Sequence, residues 1–123
     1  IEVCCFALDN HASSLHLGIE FNGEIIAVLS ALPIKCENFP NLMSMRLRGI
    51  ATLHPFQKKG LGSQLMIEVE KRLLKLKKIK LLWLNARISA KSFYQNLGYE
   101  TMGKTFNVQG IGVHQFMYKK LLE

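Results

Sequence analysis

The stretch Gln57-Lys58-Lys59-Gly60-Leu61-Gly62-Ser63 combines residue types that can hold an anion. It follows an apolar strand-like run and opens a segment of helical period. The first turn of a helix leaves main-chain N–H groups without partners and carries partial positive charge, so a phosphate placed there satisfies both. Gly60 and Gly62 let the backbone approach an anion closely, and Lys58 and Lys59 add charge nearby. The string is neither a Walker loop nor the GxGxxG dinucleotide fingerprint. Many strand-to-helix turns carry glycine for geometry alone, so by itself it leaves both readings open. Other chemistries find less support. Cys4, Cys5 and Cys36 show no CxxC spacing, and His11, His16, His54 and His114 show no metal-ligand spacing, so no metal site is expected. No Ser-His-Asp or Cys-His arrangement suggests a covalent acyl-enzyme. The cysteines read as reduced thiols of a cytoplasmic protein.

The elements that must position this turn follow from periodicity. Residues 14–21 and 24–33 read as two antiparallel strands joined at Asn22-Gly23, a strong hairpin signal. A loop marked by Pro40 and Asn41 leads to a third strand, Met43–His54. There Met45, Leu47, Gly49, Ala51 and Leu53 alternate with Ser44, Arg46, Arg48, Ile50 and Thr52, and Gly49 hints at a bulge. Leu61 to Lys77 is helical, with Leu61, Leu65, Val69, Leu73 and Leu76 on one face and a Glu68–Arg72 pair outside. Ile79–Asn85 reads as a buried strand, Ser89–Leu97 as a short helix stopped at Gly98, and Tyr99–Val108 with Val113–Leu121 as a final strand pair. The order β-β-β-α-β-α-β-β describes one α/β domain over residues 1–123, built on a mixed sheet.

Composition agrees with such a domain: 49% of the 123 residues are hydrophobic, enough for a core. The formal charge of +7 favours anionic partners, but Lys71, Arg72, Lys75, Lys77, Lys78 and Lys80 crowd one helix end without interleaved aromatics. That argues for a solvated helix terminus rather than a nucleic-acid surface. The most apolar stretch, Ile25–Ile34, is too short to span a bilayer, so no membrane partner is expected. The chain opens at Ile1 without a methionine, which reads as an N-terminal truncation.

With these residues in hand the chain resembles the GCN5-related N-acetyltransferase (GNAT) family. Gln57-Lys58-Lys59-Gly60-Leu61-Gly62 is similar to that family's Q/R-x-x-G-x-G/A signature. After one helix and one strand comes Ala90-Lys91-Ser92-Phe93-Tyr94-Gln95-Asn96-Leu97-Gly98-Tyr99, similar to its A-x-x-F/L-Y-x-x-L-G-F/Y. The tail Gly110-Ile111-Gly112-Val113-His114-Gln115-Phe116-Met117 loosely resembles the bacterial ElaA/YjcF-like subgroup. The resemblance runs from about Leu15 to about Leu121 and implies a mostly antiparallel sheet flanked by helices. It does not cover the family's opening strand and two helices, which are expected to be missing.

The resemblance implies acetyl-CoA as acyl donor, with no metal. By similarity, main-chain groups of Ile50, Ala51 and Thr52 would pair with the pantetheine arm, and amides from Gln57, Lys58, Lys59, Gly60, Leu61, Gly62 and Ser63 would hold the pyrophosphate. Tyr94 matches the family tyrosine proposed to protonate the departing thiolate. A phenol of pKa about 10 is ready to donate at neutral pH; packing alone would also explain a tyrosine at a helix–sheet interface. Arg87 stands where asparagine is common and could pair with cofactor phosphate. The family's usual glutamate base is absent, the central strand offering Arg46 and Arg48 instead. Candidates are Glu20, Glu24, His54 and His114, with His114 favoured because the subgroup carries a histidine there.

The expected function is therefore direct transfer of acetyl from acetyl-CoA to a primary amine of a small molecule or protein. Arg46 and Arg48 tilt the acceptor towards one bearing a carboxylate or phosphate. A non-catalytic acyl-CoA-binding or sensing module is the alternative. Family members often dimerise, and a homodimer is compatible with the sequence.

Overall fold

A computed structural model describes residues 4–7 and 14–121. The sheet comprises β1 (Cys4–Ala7), β2 (Leu15–Phe21), β3 (Glu24–Leu32), β4 (Ser44–Thr52), β5 (Leu81–Arg87), β6 (Glu100–Thr101), β7 (Phe106–Val108) and β8 (Gly112–Lys120). Two helices, α1 (Leu61–Leu76) and α2 (Lys91–Asn96), complete the order. The strands lie in the sequence β1-β2-β3-β4-β5-β8-β6, with β7 also paired to β8. Among the described residues only the β4–β5 pairing is parallel; the rest are antiparallel. This is the mixed, mostly antiparallel sheet expected. The strand β1, which the sequence reading did not place, adds to its edge. The side chains of Cys4 and Cys5, and all of His11, lie outside the described residues; Cys36 is a free, buried thiol.

The β2–β3 hairpin turns at Asn22 and Gly23, whose φ values of 51° and 80° suit the primed turns that match strand twist. Helix α1 lays Leu61, Leu65, Met66, Val69 and Leu73 across β2, β3 and β4. Each such side chain, fully removed from water, contributes about 1.5–3 kcal/mol before entropy is charged. Leu76, expected on that face, is 55% exposed because the helix ends there, Lys77 adopting the left-handed conformation as its cap. The lysines around this end are exposed and Arg72 pairs with Glu68 at 3.4 Å, as expected of a solvated terminus. The opposite sheet face carries a smaller cluster of Cys36, Leu81, Trp83 and Phe116. Among the described residues no helix is long and apolar enough to cross a membrane.

Three expectations need correction. The third strand stops at Thr52, because Pro55 sits in a 3-10 turn over His54–Phe56. Its alternation also fails midway. The register runs Ser30↔Gly49 and then Ala31↔Leu47, so Arg48 is an extra residue. This bulge at the suspected glycine turns Ile50 towards the α1-side core and leaves Ala51 exposed, although a strict period would group Ala51 with Met45 and Leu47. Finally, Tyr99–Val108 is not one strand. It breaks around Gly103, and the Gln115 side-chain amide donates to the freed carbonyls of Met102 and Gly103 at 3.1 and 3.2 Å.

Candidate active site

The site begins where the sheet opens. β4 and β5 pair at Ser44↔Leu81, Met45↔Leu82 and Arg46↔Trp83, and beyond that neither finds the other, although β4 runs on to Thr52 and β5 to Arg87. β5 stays fully paired to β8, and β4 to β3, so the gap is a wedge between two intact half-sheets. Leu53 donates its N–H to Ile26 at 2.8 Å, which fixes the alternation: Ala51 turns its main-chain groups to Val28 on β3, while Ile50 and Thr52 turn theirs to the wedge. Of the three residues assigned to pantetheine pairing, Ile50 and Thr52 have the required direction and Ala51 does not.

Two hollows adjoin the wedge. The first, about 370 Å³, lies at the start of α1 and is lined by Thr52, Phe56, Gln57, Lys58, Gly60, Leu61, Gly62, Ser63 and Phe93. Lys58 (φ 62°) and Gly60 (φ 78°) both adopt the left-handed conformation, in the manner of backbone nests that point successive N–H groups inward. Gln64 is the first residue of α1 to donate back, to Gly60 at 3.1 Å. Among the described residues, no protein acceptor takes the N–H groups of residues 58–63. Gln57 differs from this set. Its N–H is spent on His54 at 3.2 Å and its side-chain amide on the Thr52 carbonyl at 3.1 Å, so it braces the turn. Lys59 is exposed and outside the lining. Gly62 faces the Phe93 ring: a Cβ there would sit 3.3 Å from its Cζ. Phe93 lines this hollow although it carried no role in the sequence reading; its place inside the second motif was the available signal.

The second hollow, about 530 Å³, occupies the wedge and is lined from β4 by Arg46, Arg48 and Ile50, and from β5 by Asn85 and Arg87, among others. Tyr94 of α2 and His114 of β8 also line it. Tyr94 is buried, packed edge-on against Phe93 and Tyr99, and burial pushes its pKa up to about 12. Its hydroxyl has no hydrogen-bond partner among the described residues. His114 is buried beneath Phe106, whose ring stacks on it at 6.0 Å, and its Nδ1 lies 2.9 Å from the Gly112 carbonyl. A carbonyl only accepts, so Nδ1 carries the proton and a neutral ring keeps Nε2 as acceptor. The other base candidates, Glu20, Glu24 and His54, are exposed and line neither hollow. Arg87 sits opposite His114 in the β5–β8 register and lines the second hollow, not the first.

The short helix that carries Tyr94 is anchored from behind. Gly98 and Tyr99 return their N–H groups to Gln95 and Tyr94, both at 3.0 Å. The Tyr99 hydroxyl donates to Glu70 of α1 at 3.0 Å, and Lys119 of β8 bonds Glu70 at 2.7 Å and the Leu97 carbonyl at 2.9 Å. Burial first, and the Glu70 carboxylate second, push the Tyr99 pKa far up, so the phenol stays a donor.

The chain matches the GNAT acetyltransferase domain over residues 8–121. It is 35% identical over 121 residues to Bacillus subtilis (strain 168) YitI, named an uncharacterized N-acetyltransferase, covering 98% of this chain and 80% of that one. Among solved structures it is similar in fold to an aminoglycoside 6'-N-acetyltransferase complexed with coenzyme A (TM-score 0.75, 13% identity, 91% of this chain and 75% of the other). It is likewise similar to Escherichia coli ElaA (TM-score 0.71, 20% identity, 86% and 68%). The fold, the two motifs and the domain match converge: this chain belongs to the GNAT family of N-acetyltransferases and is an acyltransferase.

Proposed function

We propose that this enzyme transfers an acetyl group from acetyl-CoA directly to a primary amine, on a small molecule or a protein, within the wedge between β4 and β5. The observation that carries the reading is the coincidence of unspent N–H groups at residues 58–63 with an open strand edge that leads towards Tyr94. The first hollow suits a diphosphate, held by main-chain donors and by Lys58. The edge at Ile50 and the N–H of Thr52, whose carbonyl is taken by Gln57, suits an amide-bearing arm lying as a strand would. The complex of the aminoglycoside acetyltransferase with coenzyme A supports this choice of donor by fold similarity.

Acetyl-CoA supplies a thioester whose carbonyl carbon bonds to the amine nitrogen as the C–S bond breaks. His114 accepts one proton of the ammonium at Nε2, since an alkylammonium has no lone pair with which to attack, and the second proton of the attacked nitrogen passes to the departing thiolate. A main-chain N–H from Ile50 or Thr52 can stabilise the oxyanion. Tyr94 donates towards the leaving sulfur. Its raised pKa guarantees the proton but also retains it: a free thiol ionises near pH 8.5, so complete transfer from a phenol at about 12 is uphill. Tyr94 therefore acts mainly by a hydrogen bond that strengthens as charge grows on sulfur. Calorimetry with acetyl-CoA followed by an amine panel read by thiol release tests the assignment. Tight binding with no acylation of any amine would leave a binding module instead.

A further inference from the structure

We propose that the acceptor amine carries a carboxylate, received by the guanidinium of Arg46 at the closed end of the wedge with support from Arg48. The inference rests on the transferase reading above and names its second substrate. Among the described residues, the lining of the second hollow includes Arg46, Arg48 and Arg87 and no aspartate or glutamate. Among the described residues none of these arginines pairs with a carboxylate. Among the described residues these like charges thus have no counter-ion, and both burial and the neighbouring Arg48 make the Arg46 cation harder to keep.

Arg46 is also placed deliberately. It stands at the last β4–β5 pair, opposite Trp83, with Cζ 5.1 Å from the centre of the indole ring. Trp83 is itself fixed, its Nε1–H donating to the Ile34 carbonyl at 2.9 Å. One face of the guanidinium is therefore turned to the indole, with its donor edge running beside it. On that edge Nε is sealed from water and has no acceptor. An unsatisfied donor of a charged group is a standing cost. A planar carboxylate spanning Nε and a terminal nitrogen matches the fork geometry of arginine and removes that cost once the guanidinium turns Nε out from its cover.

The test uses primary amines on one carbon skeleton, ending in a carboxylate, its neutral amide or a phosphate, in several lengths. Two readouts apply: KM from thiol release, and fluorescence of Trp83, the sole tryptophan of the chain. The carboxylate is expected to have a KM about 10- to 100-fold below that of its amide and to shift the Trp83 emission. Arg46→Met, which keeps the apolar stem against the indole, should bring the two within about 3-fold and abolish the shift, with acetyl-CoA affinity unchanged. Arg46→Lys should keep part of the preference. Equal KM values for carboxylate and amide, a preference for phosphate, or a preference that survives Arg46→Met overturns the proposal. If acetyl-CoA fails to bind, the transferase reading falls while the fluorescence titration still decides this one. A carboxylate-specific shift lost in Arg46→Met supports it, and no shift overturns it.

Discussion

The hollow at the start of α1 takes most of its wall from one short stretch, Phe56 to Ser63, whereas the hollow in the wedge draws on β4, β5, α2 and β8. The first offers main-chain donors whose direction is set by local conformation. The second offers side chains brought together only by strand order. A main-chain site of this kind tolerates side-chain change but not backbone change; the side-chain site should behave in the opposite way. That contrast can be attacked directly.

The largest effect should come from the wedge. Tyr94→Phe is expected to lower kcat about 100-fold or more while acetyl-CoA affinity stays within about 2-fold, measured by thiol release and calorimetry. A matching loss of affinity would show that the two hollows do not divide binding from chemistry. Next, Gly62→Val should push against Phe93 and crowd the first hollow, raising the acetyl-CoA dissociation constant about 30-fold, with kcat at saturation largely kept. Lys58→Met in the same turn should cost only a few-fold, because the main-chain donors remain; a larger loss would recast the site as a side-chain one.

How much of this was legible beforehand divides along the same line. Strand, turn and helix start are local, so the hollow at the start of α1 could be read from the run Gln57 to Ser63. Even there Gln57 was misjudged, because its bonds to His54 and Thr52 depend on how the 3-10 turn folds. In the wedge the identities Tyr94 and His114 came from motif similarity. Their meeting in one hollow depends on β8 inserting beside β5, which no periodicity encodes. The bulge at Arg48 could be suspected from Gly49, but its consequence for Ile50 and Ala51 needed the β3 register. The break at Gly103 hid inside a run that looked continuous, since Gln115, twelve residues on, satisfies its carbonyls.

Two smaller predictions concern the support of the wedge. Glu70→Ala should destabilise the chain by about 1–3 kcal/mol in thermal or denaturant unfolding, because the Tyr99 hydroxyl is left unpaired; Glu70→Gln should cost less. Tyr94 itself gives an alkaline signature. Its folded pKa lies above the unfolded value, so its contribution is complete below about pH 10 and fades as pH rises towards about 12. At about pH 10.5 the share of the loss due to Tyr94 is about 1 kcal/mol; Tyr94→Phe should remove that share and leave the one due to Tyr99.

The three-pair seam between β4 and β5 has a mechanical consequence. Past Arg46, the border formed by Ile50 and Thr52 is a raw selvedge inside the fabric of the protein, as ready to take up a stray extended peptide as any bare outer margin. The kink at Arg48 and Gly49 keeps that margin short. Whatever rod-like molecule lies along it also sews two panels together, so occupancy should stiffen the whole sheet, not only the place where it binds.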